Sequence, residues 1–112
     1  MMKTYSVVVS ATAKANMRDG YRWAARHAPD TAARWLERFY QGLQTLSKNP
    51  ERCGVAPEST LVGQEIRQLL FGRRRSVWRA LFAIEGSEVR VLHVRRGTRD
   101  TASPEELGMA EG

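Results

Sequence analysis

The spacing of apolar side chains predicts a strand and two amphipathic helices in the first half of the chain. Residues 4–9 read as a short strand, because they are rich in β-branched and aromatic side chains, with Tyr5, Val7 and Val9 on one face. Apolar residues then recur at steps of three and four, the period of a helix that buries one face. In the first helix they are Ala13, Met17, Tyr21, Ala24 and Ala28. In the second helix they are Ala32, Leu36, Phe39, Leu43 and Leu46, with Trp35 beside them.

Capping residues, glycine and proline set the expected limits of these helices. Ser10 or Thr12 can cap the first helix, and Gly20 allows a break within it. The first helix is expected to end before Pro29. The second begins either with Pro29 at its first position or with Asp30 as its cap, and it stops at Asn49-Pro50. The short turn between the two predicts an antiparallel helical hairpin.

Three strands are predicted after a loop over residues 50–64 that is rich in Pro, Gly, Ser and Glu. They span residues 65–71, 76–84 and 88–95. The middle strand is apolar on both faces except for Arg79, which is typical of a central strand. The order β-α-α-β-β-β predicts an α+β fold, with the helical hairpin packed on one face of a small, mostly antiparallel sheet. A length of 112 residues fits a single domain over residues 1–112.

The formal net charge of +6 is distributed unevenly along the chain. Residues 1–66 carry a net charge of +3, and residues 67–99 carry +7 from nine arginines against two acids. Residues 100–112 hold four acids and no base, a net charge of −4, and Ser103-Pro104-Glu105-Glu106 in this tail has a helix-capping pattern. Guanidinium groups bind carboxylates and phosphates in a two-pronged geometry. The arginine-rich segment therefore favours a negatively charged partner, and the acidic tail could shield it.

Several function classes are disfavoured by the composition. The single cysteine, Cys53, excludes an intramolecular disulfide and fits a reducing compartment. No apolar run approaches the roughly 20 residues of a membrane span, so we expect a cytoplasmic protein with no membrane partner. His27 and His93 lie far apart without metal-ligand spacing, and we expect no metal and no other cofactor.

Four segments resemble, in their order and spacing, a known superfamily of bacterial toxins over about residues 4–99. The first is the strand Tyr5-Ser6-Val7-Val8-Val9, followed by a helix. The second runs from Trp35 to a leucine-rich turn before Pro50. The third joins Glu65-Ile66-Arg67 to Trp78-Arg79-Ala80-Leu81-Phe82, and the fourth is Val91-Leu92-His93-Val94-Arg95-Arg96-Gly97-Thr98-Arg99. Together they resemble the RelE/ParE superfamily of type II toxin–antitoxin systems.

The resemblance implies a growth-inhibiting toxin, of the kind associated with plasmid stabilisation. It also implies a cognate antitoxin with a partly acidic C-terminal segment that orders on binding. Two activities occur on this fold. ParE-like members bind DNA gyrase and need no catalytic residues of their own, whereas RelE-like members cleave mRNA in the ribosome with basic side chains on the sheet.

For a RelE-like activity, the resemblance implies a site made of Arg79, Arg96, His93 and Glu65. Arg79 matches the arginine that contacts the scissile phosphate in the RNases; alternatively, it pairs with Glu65 or another carboxylate, or helps to dock the antitoxin. Glu65 could equally pair with an arginine, and His93 could pack within the sheet. Many relatives have histidine where this chain has Arg96, and tyrosine where it has Phe82. Since neither arginine nor phenylalanine transfers protons well near neutral pH, the sequence favours the ParE-like function.

Six further arginines of the basic segment are predicted to bind the target or a nucleic acid. They are Arg67, Arg73, Arg74, Arg75, Arg95 and Arg99. For the run from Arg73 to Arg75, a solvated turn is an equally good interpretation. Without a bulge in the last strand, His93 would share a face with Val89 and Val91, opposite Arg96. Trp78 is expected to pack in the core.

Overall fold

A computed structural model describes residues 3–72 and 77–97. The strands are β1 (Ser6–Val9), β2 (Arg67–Phe71), β3 (Trp78–Glu85) and β4 (Glu88–Arg96). The α-helices are α1 (Ala11–Ala25), α2 (Pro29–Gln44) and α3 (Glu58–Val62), and two single turns of 3-10 helix cover Thr45–Ser47 and Pro50–Arg52. The predicted α+β class and the order of the main elements are confirmed. None of the described helices combines the length and apolar character needed to cross a membrane.

The four strands form one mixed sheet in the order β1-β4-β3-β2. β3 is antiparallel to both of its neighbours, and β1 is parallel to β4. β3 therefore occupies a central position, as its two apolar faces predicted. The β3–β4 hairpin closes at the pair Glu85 and Glu88, where Gly86 adopts a positive φ of 61°.

Residues at the helix ends explain where the two helices of the hairpin begin. The Ser10 hydroxyl accepts a hydrogen bond from the Ala13 N–H at 3.0 Å and so caps α1. The possible break at Gly20 does not occur, because α1 continues to Ala25. Pro29 takes the first position of α2, which settles the choice between Pro29 and Asp30 at this end.

The prediction of a loop over residues 50–64 was partly wrong, because this segment contains α3. A five-residue helix is too short to show an amphipathic repeat in the sequence. It is held by tertiary contacts instead: Val62 packs against a small cluster formed by Ala56, Ile66, Leu81 and Ala83. α3 therefore covers the face of the sheet opposite the helical hairpin.

The sheet thus has two covered faces with different partners. The helix face packs against α1 and α2 through Met17, Phe39 and Leu43 from the predicted apolar stripes. Trp78, Ala80 and Phe82 belong to this helix face. The outer face, which carries Arg79, Leu81 and Ala83, lies against α3 and the segment before β2.

A β-bulge in β4 changes which side chains share a face. Leu81 faces His93 and Phe82 faces Val91, so Leu92 is an extra residue in β4. α1 and its capping residue satisfy polar groups near the bulge: the Ser10 hydroxyl donates to the Leu92 carbonyl at 3.0 Å, and Asn16 Oδ1 accepts from the Val94 N–H at 3.1 Å.

The condition on which the expected face of His93 depended, a last strand without a bulge, is therefore not met. Beyond the bulge, His93 lies opposite Leu81 and belongs to the outer face rather than to the face of Val89 and Val91. Arg96 lies opposite Trp78, on the helix face.

Candidate functional site

Arg79 forms a buried, two-pronged ion pair with Glu58. Arg79 Nη2 lies 2.8 Å from Glu58 Oε2, and Arg79 Nη1 lies 3.0 Å from Glu58 Oε1. Arg79 also donates to Gln68 Oε1 at 3.0 Å and to the Gly97 carbonyl at 3.1 Å. The two charged residues are 1% and 0% exposed. Such a pair withstands burial because its hydrogen bonds replace those lost to water.

The ion pair identifies the carboxylate partner of Arg79. Its carboxylate partner is Glu58, which lies on α3, and not Glu65. In this conformation a phosphate could reach the guanidinium only after the pair with Glu58 had opened.

His93 and Arg95 lie beside Arg79 on the outer face. Arg95 is directly opposite Arg79 across the β3–β4 ladder, and His93 is opposite Leu81. His93 is 7% exposed, and Arg95 is half-buried. The structure thus brings together three of the basic residues singled out in the sequence, and the bulge at Leu92 is what places His93 among them.

Glu65 and Arg67 lie apart from this group. Glu65 Oε1 is 3.0 Å from Arg67 Nε, and Arg67 also donates to the carbonyls of Glu51 and Cys53 at 3.0 and 2.6 Å. Arg67 therefore ties β2 to the loop before α3. Leu70, which faces Arg79 across the ladder, is five residues beyond Glu65. Arg67 lies opposite Phe82 across the same ladder, on the helix face, whereas Arg79 lies on the outer face.

The described arginines of the basic segment do not form one shared surface. Arg67, Arg79 and Arg90 each pair with a carboxylate, Arg90 with both Glu85 and Glu88. Arg96 lies on the helix face. Arg73, Arg74, Arg75 and Arg99, together with the acidic tail over 100–112, lie outside the described residues.

An aromatic pocket lies where the helical hairpin meets the end of the sheet. It has a volume of about 280 Å³ and is lined by Trp23, Trp35, Trp78, Arg96 and small side chains that include Ala24 and Ala28. The rings of Trp35 and Trp78 lie 5.1 Å apart. Trp23 is 55% exposed, and the Arg96 guanidinium lies 5.2 Å from the centre of its ring.

The pattern of residues along the chain did not predict this pocket. The prediction that Trp78 packs in the core holds in part, since its ring meets the apolar core and also lines the pocket. The signal available in the sequence was the series Gly20, Ala24, Ala28 and Ala32, in which small residues recur every four positions. That series leaves space on the hairpin, but only the folded chain shows which aromatic rings surround the space.

Two ionisable groups near the start of the chain interact through a hydrogen bond. The Tyr5 hydroxyl donates to Glu51 Oε1 at 2.9 Å. A backbone hydrogen bond, and then the bond from Tyr5, hold the pKa of Glu51 below its ordinary value. The same bond to the Glu51 carboxylate raises the pKa of Tyr5. Burial raises the pKa of the Cys53 thiol, which nearby Arg52 only partly offsets.

Comparisons with known proteins give a consistent family result. A family model described as the ParE toxin of the type II toxin–antitoxin system parDE matches residues 7–101. The chain is similar to a solved chain of the chromosomal ParDE toxin–antitoxin system from P. aeruginosa, with a TM-score of 0.68, 20% identity, and coverage of 84% of this chain and 97% of that one. A chain of the RelBE2 toxin–antitoxin complex from Mycobacterium tuberculosis gives a TM-score of 0.51, 23% identity, and coverage of 88% and 97%. At these identities both likenesses concern the fold. No curated protein matches the chain.

Proposed function

Because this chain belongs to the ParE toxin family of type II toxin–antitoxin systems, we propose that it inhibits growth by binding a target such as DNA gyrase. A cognate antitoxin, a small acidic protein with a partly disordered C-terminal segment, neutralises it. The proposal requires binding surfaces and no chemistry by the toxin itself.

The Arg79–Glu58 pair is the observation that favours binding over RNA cleavage. Cleavage through the 2′-hydroxyl needs a group that removes one proton and a group that delivers another. The arginine expected to contact the phosphate is already paired, and Arg96 lies on the other face of the sheet. Phe82, at the position where relatives carry tyrosine, is fully buried in the core on the helix face and has no proton to give.

An mRNA endonuclease of the RelE-like kind is the second candidate function. It is favoured by the position of His93 and Arg95 beside Arg79 on the outer face. A histidine flanked by two guanidinium groups could serve proton transfer at a bound phosphate, provided that Glu58 releases Arg79 when RNA binds. This candidate therefore needs a rearrangement that the first does not need.

Induction of the toxin alone in cells separates the two functions. We expect DNA double-strand breaks and altered supercoiling while transcripts stay intact, and we expect the purified toxin to inhibit gyrase in a supercoiling assay. Codon-phased cuts in mRNA that disappear in an Arg79→Lys variant would support the endonuclease instead. Normal growth of the induced cells in several hosts would contradict both functions.

The antitoxin pairing has its own test. The product of the reading frame adjacent to the toxin gene is expected to co-purify with the toxin and to restore growth when co-expressed. A protein that neither binds nor restores growth would contradict the pairing.

A further inference from the structure

We infer that the pocket between Trp23, Trp35 and Trp78 anchors an apolar side chain of an acidic protein segment, with Arg96 binding a carboxylate beside it. That this segment belongs to the antitoxin rests on the proposed function. The pocket geometry and its charge are independent of that identity.

The size and lining of the pocket suit a side chain of a protein partner. At about 280 Å³ it lies near the lower limit of small-molecule sites, which run from roughly 300 to 1,000 Å³. Three aromatic rings and several small side chains line it, so it offers mostly apolar contact. Gly20 contributes to this shape, because a Cβ there would lie 2.8 Å from the Trp78 ring.

Trp23 leaves a large apolar surface in contact with water. It is 55% exposed, although it lines the same pocket as Trp35 and Trp78, which are mostly covered. Tryptophan and arginine dominate the energetically important centres of protein interfaces, where an anchor fills a pocket and the surrounding contacts exclude water. Covering Trp23 would remove its ring from water and enclose the pocket.

Arg96 gives the pocket a positive rim. Of the described side chains around the pocket, only that of Arg96 is charged. Its guanidinium lies over the Trp23 ring, 5.2 Å from the ring centre. A guanidinium group can bind a carboxylate in two-pronged fashion. Arg22 is exposed on the last turn of α1 and Arg26 is exposed directly after it, and both extend the positive field. An acidic partner therefore meets complementary charge.

A nucleic acid fits this site less well. A base could stack on tryptophan, but the Arg96 guanidinium already lies over the Trp23 ring. Three alanines line the pocket, and their methyl groups cannot form hydrogen bonds with the polar edge of a base. Single-stranded RNA is accordingly the competing occupant in the test.

The tryptophans provide a direct readout, because the chain contains three and all of them line the pocket. We would label the full-length toxin with 5-fluorotryptophan and follow its three ¹⁹F resonances, assigned with single Trp→Phe variants. The probe is the purified product of the adjacent reading frame, with a single-stranded RNA oligonucleotide in a parallel titration. We expect the protein to shift the Trp23 resonance and to protect it from solvent, and the RNA to leave it in place.

Binding constants of variants then show which residues of the pocket contribute to the affinity for the partner. Trp23→Ala removes the exposed ring, Thr31→Trp places a large side chain in the pocket, and Arg96→Glu reverses the charge beside the pocket. Because Trp23 and Thr31 are exposed, the fold should tolerate their substitution. Each is expected to weaken binding by about 30-fold or more, the fold-change of an interface hot spot. Tyr40→Ala and Arg38→Glu are the matched controls, since both residues are exposed on α2 away from the pocket, and they should change affinity less than about threefold.

The outcomes distinguish this inference from the proposed function. Tight binding by the wild type that all three pocket variants retain would overturn the inference and leave the antitoxin pairing intact. A Trp23 resonance that responds to RNA and not to the protein would overturn it in favour of a nucleic-acid site. Failure of the adjacent product to bind the wild-type toxin would overturn the pairing, and the inference with it.

Discussion

Glu58 and Arg79, 21 positions apart in the chain, join α3 to the central strand through a buried pair of hydrogen bonds of 3.0 and 2.8 Å. The pair accounts for two features that are otherwise unrelated. It fixes a helix of five residues that has no amphipathic repeat, and it satisfies an arginine in a strand that is otherwise apolar. α3 is therefore held in place chiefly from outside its own sequence.

Removal of one partner of this pair should be costly. Glu58→Gln leaves the Arg79 charge buried without a countercharge on α3, and we expect a loss of about 3–5 kcal/mol in the free energy of unfolding. Urea denaturation measures it. In the double variant Glu58→Leu/Arg79→Met, where no buried charge remains, most of that loss should be recovered.

The control for this experiment is the exposed pair of Arg90 and Glu85, whose side chains are about half exposed. Arg90→Gln should cost less than about 1 kcal/mol, because solvent screens such pairs. If Glu58→Gln cost no more than Arg90→Gln, the role of the buried pair in holding α3 would be wrong.

Two helical glycines should respond oppositely to alanine. In Gly42→Ala the new Cβ meets the Phe71 ring at an ordinary 3.7 Å, so helix propensity should raise stability by up to about 1 kcal/mol. In Gly20→Ala the Cβ would lie 2.8 Å from the Trp78 ring, and overpacking by about 1–3 kcal/mol should offset or exceed that gain. Thermal or urea unfolding measures the stability of both variants. Equal stabilisation by the two substitutions would contradict the prediction, because it would mean that Trp78 moves aside without an energetic cost.

Cys53 should react slowly with thiol reagents in the native protein. The residue is 8% exposed, and burial raises the pKa of its thiol, so little reactive thiolate is present or accessible near neutral pH. We expect the rate of labelling by a disulfide reagent at pH 7.5 to increase at least about tenfold when urea unfolds the chain. Native labelling as fast as that of the unfolded chain would contradict the burial of Cys53.

The carboxyl group of Glu51 should titrate at higher pH once Tyr5 loses its hydroxyl. In Tyr5→Phe the second-largest cause of the lowered pKa is removed, so the pKa should move towards its ordinary value without reaching it, since the backbone hydrogen bond remains. Carbon-13 NMR of the Glu51 carboxyl measures the shift, and Tyr21→Phe is the matched control.

The sign of the pH dependence follows from the direction of that shift. A carboxyl whose pKa is lowered by folding stabilises the protein above its unfolded-state pKa, and this contribution is lost as the pH falls through the folded-state pKa. Tyr5→Phe should therefore reduce stability more at neutral pH than in acid. An equal loss of stability at neutral and at acidic pH would show that Tyr5→Phe acts through packing of the ring edge and not through Glu51.

The sequence by itself determined the helical hairpin, the three later strands and the central place of β3. These features rest on local periodicity, which reports a buried face wherever an element is long enough to repeat. It also indicated a carboxylate partner as one possibility for Arg79, because a charged side chain in an apolar strand is costly to leave unpaired.

Only the tertiary structure decided that the acid is Glu58, that Leu92 forms a bulge which moves His93 beside Arg79, and that three tryptophans surround one pocket. Each of these depends on contacts between residues far apart in the chain. A single inserted residue reverses every later side chain in a strand, and a five-residue helix has no repeat to detect. Local pattern therefore specified the elements, while long-range packing specified which functional side chains meet.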